Sequence, residues 1–212
     1  MTEKVKPLLR GHFHQAGFFI ALGASSVLIM IAQGLYAKLV CLAYAFSLCG
    51  MFAISGLYHR INWTPKARAF WRHLDHSAIF LLIAGTGTPI CLLGMRSESG
   101  LRLFWVFWSM AIAGIFKELL WIQAPKWLSA GFYVIMGWAG IPYLSEMSKA
   151  LGGMNISFMI AGGIIYTIGA VIYAIKKPNP FPKAFGYHEI FHILIMIAAI
   201  FHFIVIYELV TR

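Results

Sequence analysis

Seven apolar stretches of about 20 residues each fill most of this chain, and a helical run of that length matches the roughly 30 Å hydrocarbon core of a bilayer. They cover 16–36, 39–58, 75–94, 103–121, 127–144, 156–175 and 187–210. In lipid every backbone polar group must be satisfied within the protein, so only helices and closed barrels span a membrane. Uninterrupted runs of this length select helices. The expected fold is therefore all-α: a polytopic membrane protein, a seven-transmembrane-helix bundle forming one domain over residues 1–212, with a short polar tail at 1–15.

Composition excludes a soluble domain. Charged residues make up 11% of the chain, against about 25% in soluble proteins. The formal net charge of +10 could suggest nucleic acid in a soluble protein. Here the lysines and arginines fall in the breaks between stretches, where they set topology and face anionic headgroups. Cys41, Cys49 and Cys91 all lie in apolar runs, which speaks against a disulfide framework and a thiolate metal site.

The breaks carry further expectations. His59 to Arg72 reads as a basic connection containing Asn62-Trp63-Thr64-Pro65. Pro89 predicts a kink in the third span, and Met95 to Arg102 reads as a short polar turn. Gln123-Ala124-Pro125-Lys126 ends the fourth span, and Pro142 interrupts the fifth. Ser145 to Gly153 reads as a polar turn. Lys176 to Gly186, with Pro178, Pro180 and Pro182, reads as a stiff helix-free connection. The pairs Gly152-Gly153 and Gly162-Gly163 suggest close helix approach. The basic tail and first apolar run resemble a signal peptide ending near Leu35-Tyr36-Ala37, but the run is long enough to span.

Charge counting orients the bundle. With alternating connections, 12 of the 17 lysines and arginines fall on the side of the amino terminus. That excess predicts a cytoplasmic amino terminus and a carboxyl terminus outside. The same alternation places five polar side chains at one level. Ser55 and His59 lie at the cytoplasmic end of the second span, Asp75 starts the third, and His188 and His192 start the seventh. Ser55 and His59 share a helix face, as do His188 and His192. Imidazoles are costly to bury in an apolar helix unless something satisfies them. Three histidines and a water would make a tetrahedral zinc site with one open position. Asp75 could bind or orient that water, and Ser55 could serve as an oxyanion donor.

Ser55-x-x-x-His59, Asp75 within Leu74-Asp75-His76-Ser77-Ala78-Ile79, Thr88-Pro89 and His188-x-x-x-His192 resemble the hemolysin III proteins. These belong to the wider progestin and adipoQ receptor family, which includes the adiponectin receptors. The resemblance covers essentially the whole chain, from Gly17 to Tyr207. It implies seven helices with a cytoplasmic amino terminus, in a bacterial inner membrane. It also implies Zn2+ held by His59, His188 and His192, with Asp75 and Ser55 close by. Some relatives hydrolyse ceramide-like lipid amides, and hemolysin III relatives are linked to cell lysis and to membrane-lipid homeostasis. Gly87 departs from the family's tyrosine, which would widen the pocket beside the third span. The long amino-terminal domain of the receptor members is absent, which weakens a receptor role.

Other readings of the same residues stand beside this one. His188-Glu189-x-x-His192 matches the HExxH metalloprotease pattern, with Glu189 as base. The third ligand, however, would come from the second span, and a glutamate in a first helical turn is favoured by the dipole anyway. Asp75 could be a helix N-cap. His202 lies about 15 Å further along the helix axis than His192 and is expected to hydrogen-bond between helices. His73 and His76 flank Asp75 as supporting or interfacial groups, and His12 and His14 are expected in solvent. The expected partners are membrane lipids, with a lipid substrate or ligand and no nucleic acid. Three functions compete: an intramembrane zinc hydrolase of lipid amides or esters, a non-enzymatic regulator with structural zinc, and a lytic or channel-forming protein.

Overall fold

The computed structural model describes residues 6–121 and 124–212. Lys4 of the tail and Gln123 of the fourth break lie outside the described residues, as does the side chain of Lys126. The helices are α1 (His12–Ile31), α2 (Gly34–Arg60), α3 (Pro65–Pro89), α4 (Glu98–Leu120), α5 (Lys126–Gly137), α6 (Leu144–Leu151), α7 (Gly153–Ile175) and α8 (Tyr187–Thr211). No β-sheet occurs among the described residues. The protein is an all-α membrane bundle. Its exposed surface carries Phe19, Met30, Phe46, Trp105, Phe116 and Ile168, an apolar coat suited to lipid. Tyr44, Met51, Phe80 and Leu28 are buried between helices.

Among the described residues, six helices are long and apolar enough to cross a membrane: α1, α2, α3 with its extension, α4, α7 and α8. The expected fifth span is not one helix. The 12-residue α5 ends at Gly137, Ile141–Tyr143 form one 3-10 turn at Pro142, and α6 follows. Together these pieces run the length of the bundle. Ser129 at one end meets Glu118, and Leu151 at the other lies beside Gly94. The region expected as a polar turn at 145–153 is therefore mostly α6.

The basic connection is also shorter than hydropathy suggested. Helix α3 starts at Pro65, which needs no N–H partner in the first turn. Thr64 caps it, its Oγ1 accepting from the Ala67 amide at 3.4 Å. Only Ile61–Thr64 separate α2 from α3. Asp75 thus lies about 15 Å along the helix from its start, which rules out the N-cap role. Pro89 ends the regular part of α3, and Ile90–Met95 continue it as a π-helix, the wider winding found where a helical hydrogen bond is missing.

Gly162 marks a close approach as expected, since a Cβ there would collide with the His202 ring of α8. Gly152-Gly153 does something else. Gly152 adopts φ 86° to turn the chain from α6 into α7, and Gly153 faces open space. The Lys176–Gly186 connection is helix-free, and it is fastened to the amino-terminal segment. The Leu8 and Leu9 amides donate to the Lys183 and Ala184 carbonyls at 3.0 and 3.2 Å.

Candidate metal centre

The end of α2, the third turn of α3 and the start of α8 meet at one end of the bundle. Their side chains bring the sequence-predicted residues together. His59, His188 and His192 are all buried, and each offers a ring nitrogen within 4.8 Å of the others. The Nε2 atoms of His59 and His188 face each other at 3.1 Å. Asp75 is buried too, with Oδ2 3.5 Å from His59 Nε2. Ser55, one turn before His59 on α2, directs its hydroxyl at the same carboxylate.

This donor set fits zinc. Two nitrogens each about 2.05 Å from a tetrahedral ion stand about 3.3 Å apart, close to the His59–His188 separation. His192 Nδ1 is buried with no hydrogen-bond partner, a costly state for a polar atom. The residues that would hold the ion are His59, His188 and His192. Three such ligands would leave one position of a tetrahedron open, and Asp75 and Ser55 line the same cavity.

Several residues around the site escaped the sequence reading. His14 is not in solvent. It is 2% exposed, and its ring stacks on His192 with centroids 3.7 Å apart and planes 6° from parallel. A signal was present: the buried positions of α1 are 14, 17, 21, 25 and 28, a helical stripe of mostly small residues. Extending that stripe backwards reaches His14. His12 is also held, with the Arg60 guanidinium against its ring.

Glu189 is engaged in holding the start of α8. Its Oε2 accepts from the Gly186 amide at 2.8 Å, and Oε1 pairs with Arg10 Nε at 2.5 Å. It is a cap and an ion-pair partner, which leaves no free carboxylate for the protease reading. His76 and His73 face α4: their Nδ1 atoms meet the Glu118 carboxylate at 3.2 Å and its backbone carbonyl at 2.9 Å. Glu118 is also held by Lys117 at 2.7 Å and Ser129 at 2.9 Å. This buried network ties α3, α4 and α5 behind Asp75. His202 bonds the Met159 carbonyl at 3.1 Å, joining α8 to α7.

The amino-terminal segment closes over His59. Gly11 has φ 82°, and a Cβ added there would lie 2.8 Å from the His59 Cβ. Gly11→Ala should therefore cost about 1–3 kcal/mol, from the left-handed backbone and the clash combined. Thermal unfolding of the purified variant in detergent checks this; an unchanged melting temperature would show that the segment is not pressed on His59.

A haemolysin-III related family profile matches residues 2–203. The chain belongs to the haemolysin-III related family. It is 33% identical to Hemolysin-3 of Bacillus cereus over 200 residues, covering 92% of this chain and 88% of that protein. Animal proteins are similar to this chain as well. Human monocyte to macrophage differentiation factor is 24% identical over 196 residues, covering 91% of this chain and 79% of the human protein. The adiponectin receptor protein of Drosophila melanogaster is 27% identical over 187 residues, covering 78% of this chain and 39% of the receptor.

Beneath the site of this haemolysin-III related protein lies a second, apolar chamber of about 140 Å3. It shares Met51, Ile79, Tyr133, Phe191 and Ile195 with the smaller cavity bounded by the histidines. Gly87 borders it. The expected widening at Gly87 is taken up by Phe107 of α4, whose ring a Cβ at Gly87 would strike at 2.6 Å.

Proposed function

We propose that this haemolysin-III related protein is an intramembrane zinc hydrolase of lipid amides or esters. The observation that carries the reading is the junction of two environments. Three histidines, Asp75 and Ser55 line a small cavity, and that cavity shares walls with an apolar chamber suited to an acyl chain. The charge bias of 12 to 5 supports a cytoplasmic amino terminus, so the site opens near the inner headgroup layer. The Bacillus relatives support a bacterial cytoplasmic membrane.

When bound at His59, His188 and His192, zinc would polarise the substrate carbonyl and bring the pKa of its water to near 7. The protein's own groups do the rest. Asp75 takes a proton from the water that attacks the acyl carbonyl. Ser55 donates a hydrogen bond to the oxygen that gains charge. Asp75 then returns the proton to the departing amine or alcohol as the acyl–N or acyl–O bond breaks, leaving a fatty acid. Wall residues such as Ile79, Phe191 and Ile195 hold the chain and exclude water.

The apolar lining of the chamber speaks against an ion pore, which needs polar groups along its length. Comparative lipid mass spectrometry tests the proposal. Membranes containing the wild type should lose one acyl-lipid class and gain its free fatty acid, relative to membranes containing His192→Ala. Identical profiles would favour a regulator with structural zinc or a lytic protein.

A further inference from the structure

We propose that the apolar chamber selects an acyl chain carrying a hydroxyl group near its middle, and that Thr86, Tyr166 and His202 bind that hydroxyl. The inference rests on the lipid-substrate reading above and adds the chemical class of the chain.

The polar groups lining the chamber divide into two kinds. Some are satisfied by the protein. Tyr133 donates to the His76 carbonyl at 3.3 Å, and Thr167 accepts from Trp138 Nε1 at 2.9 Å while donating to the Gly163 carbonyl at 2.8 Å. Thr86 and Tyr166 are of the other kind: among the described residues neither hydroxyl has a hydrogen-bond partner. Thr88, two residues on, donates to the Ala84 carbonyl one turn back, and Thr86 does not. His202 is half satisfied. Its Nε2 donates to the Met159 carbonyl at 3.1 Å, since a carbonyl can only accept. The Nε2–Cδ2 edge of the ring packs over Gly162, which turns Nδ1 away from that contact, and Nδ1 has no partner among the described residues.

These three groups come from three helices and share one depth. Helices α3 and α8 both run from the metal centre into the chamber, through Ile79 and Ile195. Thr86 lies eleven residues beyond Asp75, and His202 ten beyond His192, so both stand about 15 Å deeper than the metal centre. Tyr166 of α7 joins them, its ring centroid 5.5 Å from that of His202. Thr86 is 7% exposed and His202 8%, so the polar level lies inside the bundle. Polar side chains commonly join membrane helices, as His202 joins α8 to α7. The Thr86 and Tyr166 hydroxyls join nothing. A hydroxyl both donates and accepts, so it matches two protein hydroxyls and an imidazole nitrogen together. A plain chain leaves those groups unpaired, and a hydroxyl elsewhere in the chamber would itself be buried unpaired. The depth also sets the position: about 15 Å is about 12 carbons of an extended chain whose carboxyl end lies at the histidines.

The test is equilibrium binding of three fatty acids of one length to the purified, zinc-loaded protein in neutral detergent: stearic, 12-hydroxystearic and 2-hydroxystearic acid. The 12-hydroxy acid should bind about tenfold or more tighter than stearic acid, because a site built to hydrogen-bond a hydroxyl rejects the analogue that lacks it. The 2-hydroxy acid, whose hydroxyl stands at the wrong depth, should show no such gain. Thr86→Val with Tyr166→Phe removes two hydroxyls and little volume, and should bring the ratio close to one with stearate binding no weaker. His202→Leu should lower the ratio as well; an unchanged ratio there removes His202 from the subsite. Equal wild-type binding of stearic and 12-hydroxystearic acid overturns the proposal. So does a preference that survives the double variant, or a 2-hydroxy acid bound as tightly as the 12-hydroxy acid. Selective binding with no amide or ester of 12-hydroxystearic acid hydrolysed would uphold the subsite and reject the hydrolase; hydrolysis with equal binding of the two acids would do the reverse.

Discussion

His192→Ala should purify with almost no zinc, its affinity reduced by more than the roughly 100-fold typical of losing an outer-sphere partner. His192 is 2% exposed, its Nδ1 has no other partner, and its ring is held by the stacked ring of His14. Alanine removes one of three ligands and leaves His59 and His188 facing each other at 3.1 Å. Two imidazoles on separate helices cannot enclose a tetrahedral ion without recruiting a new ligand, and Asp75, 3.5 Å from His59 Nε2, is the nearest carboxylate to serve. Elemental analysis and chelator competition on the purified variant read the effect. Zinc retained at the wild-type level would remove His192 from the site.

Asp75→Ala should separate binding from chemistry. Asp75 Oδ2 is 3.5 Å from His59 Nε2, so the carboxylate sits beside the ligand set. Its loss should weaken zinc by about 10–100-fold, as for other outer-sphere partners, and leave the protein largely loaded under millimolar zinc. Lipid hydrolysis should fall by about 100–10,000-fold, the usual contribution of a positioned acid–base group. Turnover close to wild type in the zinc-loaded variant would show that the proton goes elsewhere.

How far the sequence could be read differed between kinds of feature, for physical reasons. Ser55, His59, Asp75, His188 and His192 were legible because i, i+4 spacing fixes a face and alternating spans fix a depth. Those two rules require no knowledge of packing. The start of α3 was not, since Lys66, Arg68 and Arg72 lower hydropathy without breaking a helix. Hydropathy marks where lipid begins, whereas Thr64 and Pro65 mark where the helix begins. The fifth span failed for the opposite reason: Gly137, Gly140 and Pro142 interrupt a helix that hydropathy treats as continuous.

Buried polar groups divided in the same way. His14 belonged to a stripe visible in α1, masked by its nearness to a polar tail. Glu118 had no such signal. A Lys–Glu pair near a span end reads as interfacial, and only the arrival of His76 and Ser129 from other helices satisfies its burial. Glu189 was read correctly as a first-turn carboxylate, and its partner Arg10, 179 residues away, could be supplied only by the fold.

If His59 and His188 with His192, from two helices, hold a metal, the wild-type protein keeps it through purification. The decisive measurement is the zinc content of the wild-type protein, purified from native membranes without added metal or chelator. About one zinc per chain, removed by strong chelation and restored by added zinc, is the predicted result. A well-folded wild-type protein that carries no metal and takes up none when zinc is supplied would contradict it.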